Sequence, residues 1–311
     1  MSNLADMQNL KQILGKLDAE MPAEESRPGR TSHQLRESDI HKRLQLEAFK
    51  GNSRVLVTGQ IGVGKSSELR HFYRQRIGTE KDRQRTGFWV YCDLEKEEHP
   101  ERCGATGVFL TILRDCWGAT KGLIDRLRYI KTSQREEFNH IRDEILESLI
   151  DWLKGERSTD GNQVIFRFGG MDYTIWLNQR DMALALILVK AAQHEAVSMQ
   201  SERFGLIPDN LVRLMNRLFR WLAEIHYNIP PLLIIDHVDK IRNEASAREV
   251  LVEVIPQWKR INASIIMTAP YEYTLGDMRS SVESYWGSPL IVFPLVFPEL
   301  TDKEIPHFFQ G

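Results

Sequence analysis

The chain has 311 residues, with 41 lysines and arginines against 43 aspartates and glutamates for a formal net charge of −2, and 42% of its residues are hydrophobic. That balance excludes a fibre or a disordered tail and supplies no global basic field, so nucleic acid is not indicated by net charge, although a local basic face stays open. Cys92, Cys103 and Cys116 lie far apart without CxxC spacing, which fits unpaired thiols in a reducing compartment better than a disulfide framework or a zinc site.

The first residues, MSNLADMQNLKQILGK, lack the apolar stretch of a secretion signal. The longest apolar run, Met182 to Val189, is too short to span a bilayer, so a cytoplasmic protein with no membrane partner is expected. A weak helical period to about Leu17, a polar Pro-containing linker (AEMPAEESRPGRTS) and a helical stretch from Glu37 to Phe49 make residues 1–50 an N-terminal arm. A core over residues 51–300 then begins with Arg54 to Thr58, a short β-branched run read as a buried strand.

GQIGVGKSS follows, Gly59 to Ser67, with the spacing GxxxxGK[ST]. Glycines let successive backbone N–H groups converge on an anion, a lysine adds a cation, and a hydroxyl can reach the accompanying metal. Gly59, Gln60, Ile61, Gly62, Val63, Gly64, Lys65, Ser66 and Ser67 are therefore the candidate phosphate-binding residues. The strand before the loop, and the helix after it marked by Leu69, Phe72, Tyr73 and Ile77 up to Gly78, supply the context that such a loop requires.

GFWVYCDL, Gly87 to Leu94, reads as a second buried strand, and Ala105 to Trp117 and Glu136 to Leu153 as amphipathic helices. QVIFRFGGMDYTIWL breaks that rhythm around Gly169 and Gly170, a dipeptide suited to a two-residue hairpin turn. Counting outward pairs Phe168 with Met171, Arg167 with Asp172, Phe166 with Tyr173 and Val164 with Ile175. One face of the hairpin is then apolar, and it must dock on its own domain or on a partner. With a helix-like run from Met182 to Ala192, these elements form an insert at about 104–208, and an amphipathic helix follows from Asn210 to about Tyr227.

PPLLIIDHVDK carries a buried strand, Leu232 to Ile235, ending on Asp236. A carboxylate there can hold the magnesium that bridges a nucleotide's phosphates, with the Ser66 hydroxyl as the other protein ligand, in a Walker B pattern. Ala247 to Trp258 is helical despite Pro256, ASIIMTAP gives a strand running into Thr268, and PLIVFPLVF gives a fifth strand around Leu290 to Phe293. Helices between strands imply crossover connections, so the expected fold is α/β with a mainly parallel sheet, binding ligands at the strands' carboxyl ends.

Together, GQIGVGKSSEL, LLIIDHVDK and IIMTAP resemble the additional-strand P-loop ATPases of the AAA+ and STAND group, particularly KAP-like bacterial ATPases. The resemblance covers about Arg54 to Val296. It implies a sheet ordered 5-1-4-3-2, ATP and Mg2+ as cofactors, Lys65 on the β and γ phosphates, Ser66 and Asp236 on the metal, and Thr268 as a sensor beside the γ-phosphate. AAA+ proteins place a glutamate after the Walker B aspartate, where this sequence has His237; STAND-like members show a second acid three residues on, which Asp239 matches. Asp239 is the first candidate for polarising water and His237 the second.

The group continues past its fifth strand into a helical lid, whereas the sequence given ends at TDKEIPHFFQG, where Thr301 and Glu304 form a capping box over residues 301–311. A truncated lid, or one supplied by another subunit, is expected, with slow turnover by the chain alone and Arg279 a candidate to act in trans. The leading function is a Mg2+-dependent ATPase working as a switch or assembly module with a second copy or a protein effector, of the type found in bacterial antiviral defence. An ATP-binding scaffold without turnover and a small-molecule kinase are the alternatives. GTPases and ABC-type ATPases are disfavoured by the lack of NKxD and LSGGQ patterns.

Overall fold

Five short strands form one sheet in which every pairing is parallel: β1 (Arg54–Thr58), β2 (Trp89–Asp93), β6 (Leu232–Asp236), β7 (Ser264–Ala269) and β8 (Leu290–Val292), in the spatial order β2-β6-β7-β1-β8. The structure is a computed structural model and describes residues 44, 46, 53–59, 63–76, 87–96, 103–126, 130–152, 155–159, 163–168, 171–176, 209–226, 228–274, 279–280, 282–283, 286 and 290–292. Most of the N-terminal arm, Gln60, Ile61 and Gly62 of the loop, the run from Met182 to Ala192 and the segment 301–311 lie outside these residues.

Alternation along each strand sorts the side chains into two layers, because successive residues of a strand point to opposite faces. Val55 and Val57 of β1, Leu232 and Ile234 of β6 and Ile266 of β7 face one way and pack with Leu69 and Phe72 of α1 (Lys65–Arg76) and with Leu44. Leu56, Leu233, Ile235, Ile265 and Met267 face the other, larger core. That core is closed by α2 (Ala105–Arg126), α3 (Thr132–Trp152) and α4 (Asp209–Ile225). Parallel neighbours cannot be joined by tight turns, and the helices between them cover both faces.

Both insert helices run beyond their expected limits, α2 to Arg126 and α3 from Thr132. The stretch expected as one helix from Ala247 to Trp258 is divided into α5 (Glu244–Arg248), a π-helical turn (Glu249–Glu253) and α6 (Ile255–Lys259). Pro256 accounts for the division, since it sits in the first turn of α6, where its missing N–H has no helical acceptor to lose.

β4 (Gln163–Phe168) and β5 (Met171–Trp176) pair antiparallel in the register counted from the sequence, Phe166 opposite Tyr173 and Arg167 opposite Asp172. Arg167 and Asp172 form an exposed ion pair at 3.3 Å. A third strand, β3 (Glu156–Arg157), adds to β4. It is too short and too charged to announce itself by alternation. Val164 and Phe166 are buried in the main core, so the β4 part of this face docks on its own domain. Gly155 shows how close the approach is: a Cβ there would lie 2.5 Å from Val164 Cγ1.

Among the described residues no helix is long and apolar enough to cross a membrane. Phe166→Ala should destabilise the fold by about 3–5 kcal/mol in urea denaturation, because a fully enclosed ring leaves a cavity. Phe166→Asp should leave no cooperative transition, and a stable, monomeric Phe166→Asp protein would mean that the hairpin is not core.

Candidate functional site

The sheet brings the carboxyl ends of β1, β2, β6 and β7 together. In the observed register Asp93 stands opposite Asp236, Ile235 opposite Met267, and Thr268 opposite Val57. Three polar strand-end residues from neighbouring strands therefore line up, and the N-terminus of α1 faces them.

Lys65, the first residue of α1, is buried. Its ammonium donates to the Gly59 carbonyl at 2.9 Å and pairs with Asp239 Oδ2 at 2.9 Å. Gly64 before it has φ +89, a left-handed conformation that glycine adopts without strain. Ser66 Oγ donates to Asp236 Oδ1 at 3.1 Å across 170 residues of sequence and lies 3.1 Å from His237 Nε2. Thus Lys65, Ser66, Asp236, His237 and Asp239 come together. Ser67 is half-buried on α1, and Val63 packs against the smaller core. Thr268 is fully buried and its hydroxyl accepts the Val238 N–H at 3.0 Å, so it pins the 3₁₀ turn Val238–Lys240 that carries Asp239. Arg279 is exposed and paired with Glu283.

Several members of the site were not singled out from sequence. Asp93, at the end of β2, accepts from Arg70 Nη2 at 2.8 Å and from the Glu95 N–H at 3.0 Å, and it holds His237 Nδ1 at 2.7 Å. Tyr91 donates its phenol to Asp236 Oδ2, and Arg70 lies over the Tyr91 ring at 5.8 Å. Lys240 pairs with Glu95 at 2.6 Å, and Glu95 Oε2 is 3.3 Å from His237 Nε2. The period-2 pattern of WVYCD was the available signal, because it places Tyr91 and Asp93 on one face.

Burial and pairing oppose each other throughout the cluster. Burial pushes the Asp236 carboxyl up and Asp239 adds to the push, against the opposing pull of His237 and Tyr91. For Asp93 burial also acts upward, but the His237 hydrogen bond and charge, Arg70 and the Glu95 N–H outweigh it and bring the carboxyl down to about 2. Burial alone would lower His237; the hydrogen bond to Asp93 and the charges of Asp236, Asp93 and Glu95 raise it instead. The Tyr91 phenol is driven up by burial and by Asp236.

The hydroxyl of Ser66 and the carboxylate of Asp236 form an oxygen pair of the kind hard divalent cations take. Asp93, Glu95 and His237 also offer ligand atoms within 4.8 Å of one another. Asp239 Oδ1 is buried without a hydrogen-bond partner, which leaves an acceptor beside the Lys65 ammonium. No protein-family model matches the sequence, and no curated protein shows significant similarity to it.

The Asp93–His237 pair should leave a pH signature in stability measured in chelator-treated buffer. The depressed Asp93 pKa, about 2 against an ordinary 3.8, gives a contribution complete above 3.8 and lost as pH falls through 2. The raised His237 pKa gives one complete below its ordinary 6.5 and lost as pH rises through the raised value. Asp93→Asn should therefore destabilise by about 3–5 kcal/mol, with the largest difference from wild type between pH 3.8 and 6.5. A difference independent of pH would remove the charge assignment.

Proposed function

We propose that the chain binds ATP with Mg2+ and hydrolyses it as a P-loop ATPase of the additional-strand class, working as a switch or assembly module. The observation that carries the reading is the meeting of Lys65 and Ser66, at the start of α1, with Asp236 and Asp239 at the end of β6. The sheet order adds support: numbered along the chain, the five parallel strands run 5-1-4-3-2 from the β8 edge, as the resemblance implies.

In this reading the backbone of Gly59 to Ser67 surrounds the phosphates and the Lys65 ammonium meets the β and γ oxygens. To do so it must leave Asp239, its present partner. Ser66 and Asp236 would hold the metal, which would supply positive charge against the phosphates. Asp239, released from Lys65, would be a free carboxylate able to accept a proton from a water that attacks the γ-phosphorus, as the bond to the bridging oxygen breaks and ADP leaves. Thr268 acts by fixing the turn that carries Asp239, and His237, oriented by Asp93, is the second candidate base.

An ATP-binding scaffold without turnover is the second reading, and one observation favours it. Where AAA+ proteins carry a glutamate, His237 is buried and engaged on both ring nitrogens by Asp93, Ser66 and Glu95. A small-molecule kinase remains a third, to be separated by phosphate release with and without acceptors. As a switch, the chain would act with a second copy or an effector, in the manner of ATPases in bacterial antiviral defence.

Calorimetry with ATP and Mg2+ tests the assignment. Lys65→Ala should weaken ATP binding by about a hundredfold, through loss of a charge-assisted contact of roughly 3 kcal/mol. Unchanged affinity would reject the site. Asp239→Asn should bind ATP more tightly than wild type, because Lys65 no longer has an ion pair to break, while single-turnover hydrolysis slows. Tighter binding with no loss of rate would pass the base role to His237, and no hydrolysis by wild type would favour the scaffold.

A further inference from the structure

The amphipathic helix α4 buries Leu211, Leu214, Met215, Leu218 and Leu222 and leaves a basic stripe on its outer side. Arg213, Arg217 and Arg220 follow at spacings of four and three, which keeps them within about 60° around the helix and spreads them over about 10 Å of its length. Arg260, just past α6, comes up beside them, and the four arginines with Asn216, Asn262 and one acid, Asp209, line an open groove of about 780 Å³. Asn262 lies just before the first residue of β7, whereas the phosphate and cation site lies at the strands' opposite, carboxyl ends.

The carboxylates nearby are too few to neutralise this row. Arg217 pairs with Glu144 at 2.7 Å, and Arg260 pairs with Asp209. Arg213 donates to Asn210 Oδ1 at 2.7 Å, and among the described residues neither Arg213 nor Arg220 makes a carboxylate salt bridge. Both are exposed, and Arg213 acts on Glu144 only through its charge. The Asn216 amide, in contrast, is already committed: it donates to the Arg260 carbonyl at 2.6 Å and accepts the Asn262 backbone N–H at 2.8 Å. Asn216 thereby ties α4 to the 260–262 turn, and the exposed guanidinium groups of Arg213 and Arg220 make no carboxylate ion pair among the described residues.

We propose that this groove binds the phosphodiester backbone of nucleic acid without reading its sequence. Guanidinium groups match phosphate oxygens in charge and in their paired N–H geometry. Only Val212 among the lining residues is apolar, and it is buried; a protein partner would look for an exposed aromatic or aliphatic anchor, which such interfaces concentrate at their centre. Among the described residues no aromatic side chain lines the groove on which a base could stack, so contact is made to the backbone and not to splayed bases. A chain with no overall basic charge thus presents a local basic face.

Fluorescence anisotropy of the full chain with a labelled duplex of about 20 base pairs, from about 50 to 200 mM KCl, tests this. Each arginine–phosphate contact adds about 0.9 to the slope of log affinity against log salt. Arg213→Ala combined with Arg220→Ala should lower that slope by about 2 and weaken binding at least tenfold at low salt. The corresponding double lysine variant, which keeps both charges, should retain most of the slope, and a scrambled duplex should bind like the first. An unchanged slope in the alanine variant overturns the proposal. So does competition by polyglutamate as effective, charge for charge, as competition by unlabelled duplex, which would assign the groove to acidic protein. ATP affinity, read by calorimetry in the same variants, should not move, so the groove and the nucleotide site can fail separately.

Discussion

Burying negative charge at the strand ends is the constraint around which the rest is arranged. Asp236 has no solvent exposure, Asp93 is nearly as deep, and Asp239 is buried enough to leave one oxygen without a partner. An ionised carboxylate withdrawn from water is unfavourable by several kcal/mol unless donors surround it. The donors come from different elements: Tyr91 from β2, Ser66, Lys65 and Arg70 from α1, and His237 from the turn after β6. Sheet register, helix placement and turn geometry are thereby tied to one another at this point.

The other end of the sheet meets the inverse problem. Arg54 opens β1 with its guanidinium buried, where it donates to the carbonyls of Ser53, Trp258, Ile261 and Ala263. Burial pulls its pKa down to about 10. A cation held by backbone carbonyls thus ties the start of β1 to the turn that leads into β7, its neighbour in the sheet. Arg54 at one end, and at the other Lys65 on the Gly59 carbonyl and Thr268 on the Val238 N–H, hold β1 and β7 at both termini.

What was legible in the sequence follows from how local the cause is. The Lys65–Ser66 pair, the run ending on Asp236 and the register of the hairpin each depend on residues close in sequence, and each stands in the structure as the spacing suggested. Asp93 and Tyr91 could be read as part of a strand but not as part of a site, because their importance comes from the adjacency of β2 and β6, elements separated by the whole insert. Arg54 looked like the charged edge of an apolar run, since nothing nearby shows that it will face the carbonyls of residues 258–263. Thr268 was singled out correctly as a polar strand end, yet its observed partner is the backbone of the next strand's turn.

The turn after β6 also filters what can occupy its first position. His237 has φ 66 and ψ 18, a left-handed backbone that histidine, asparagine and aspartate tolerate far better than β-branched residues do. Its N–H closes onto the Asp236 carboxylate at 2.8 Å, so the conformation is held by the same buried anion. Glutamate would enter that position against both the backbone preference and the neighbouring negative charges of Asp93 and Asp236. An aspartate buried this way accommodates an imidazole beside it and disfavours a second acid until Asp239, which Lys65 pairs.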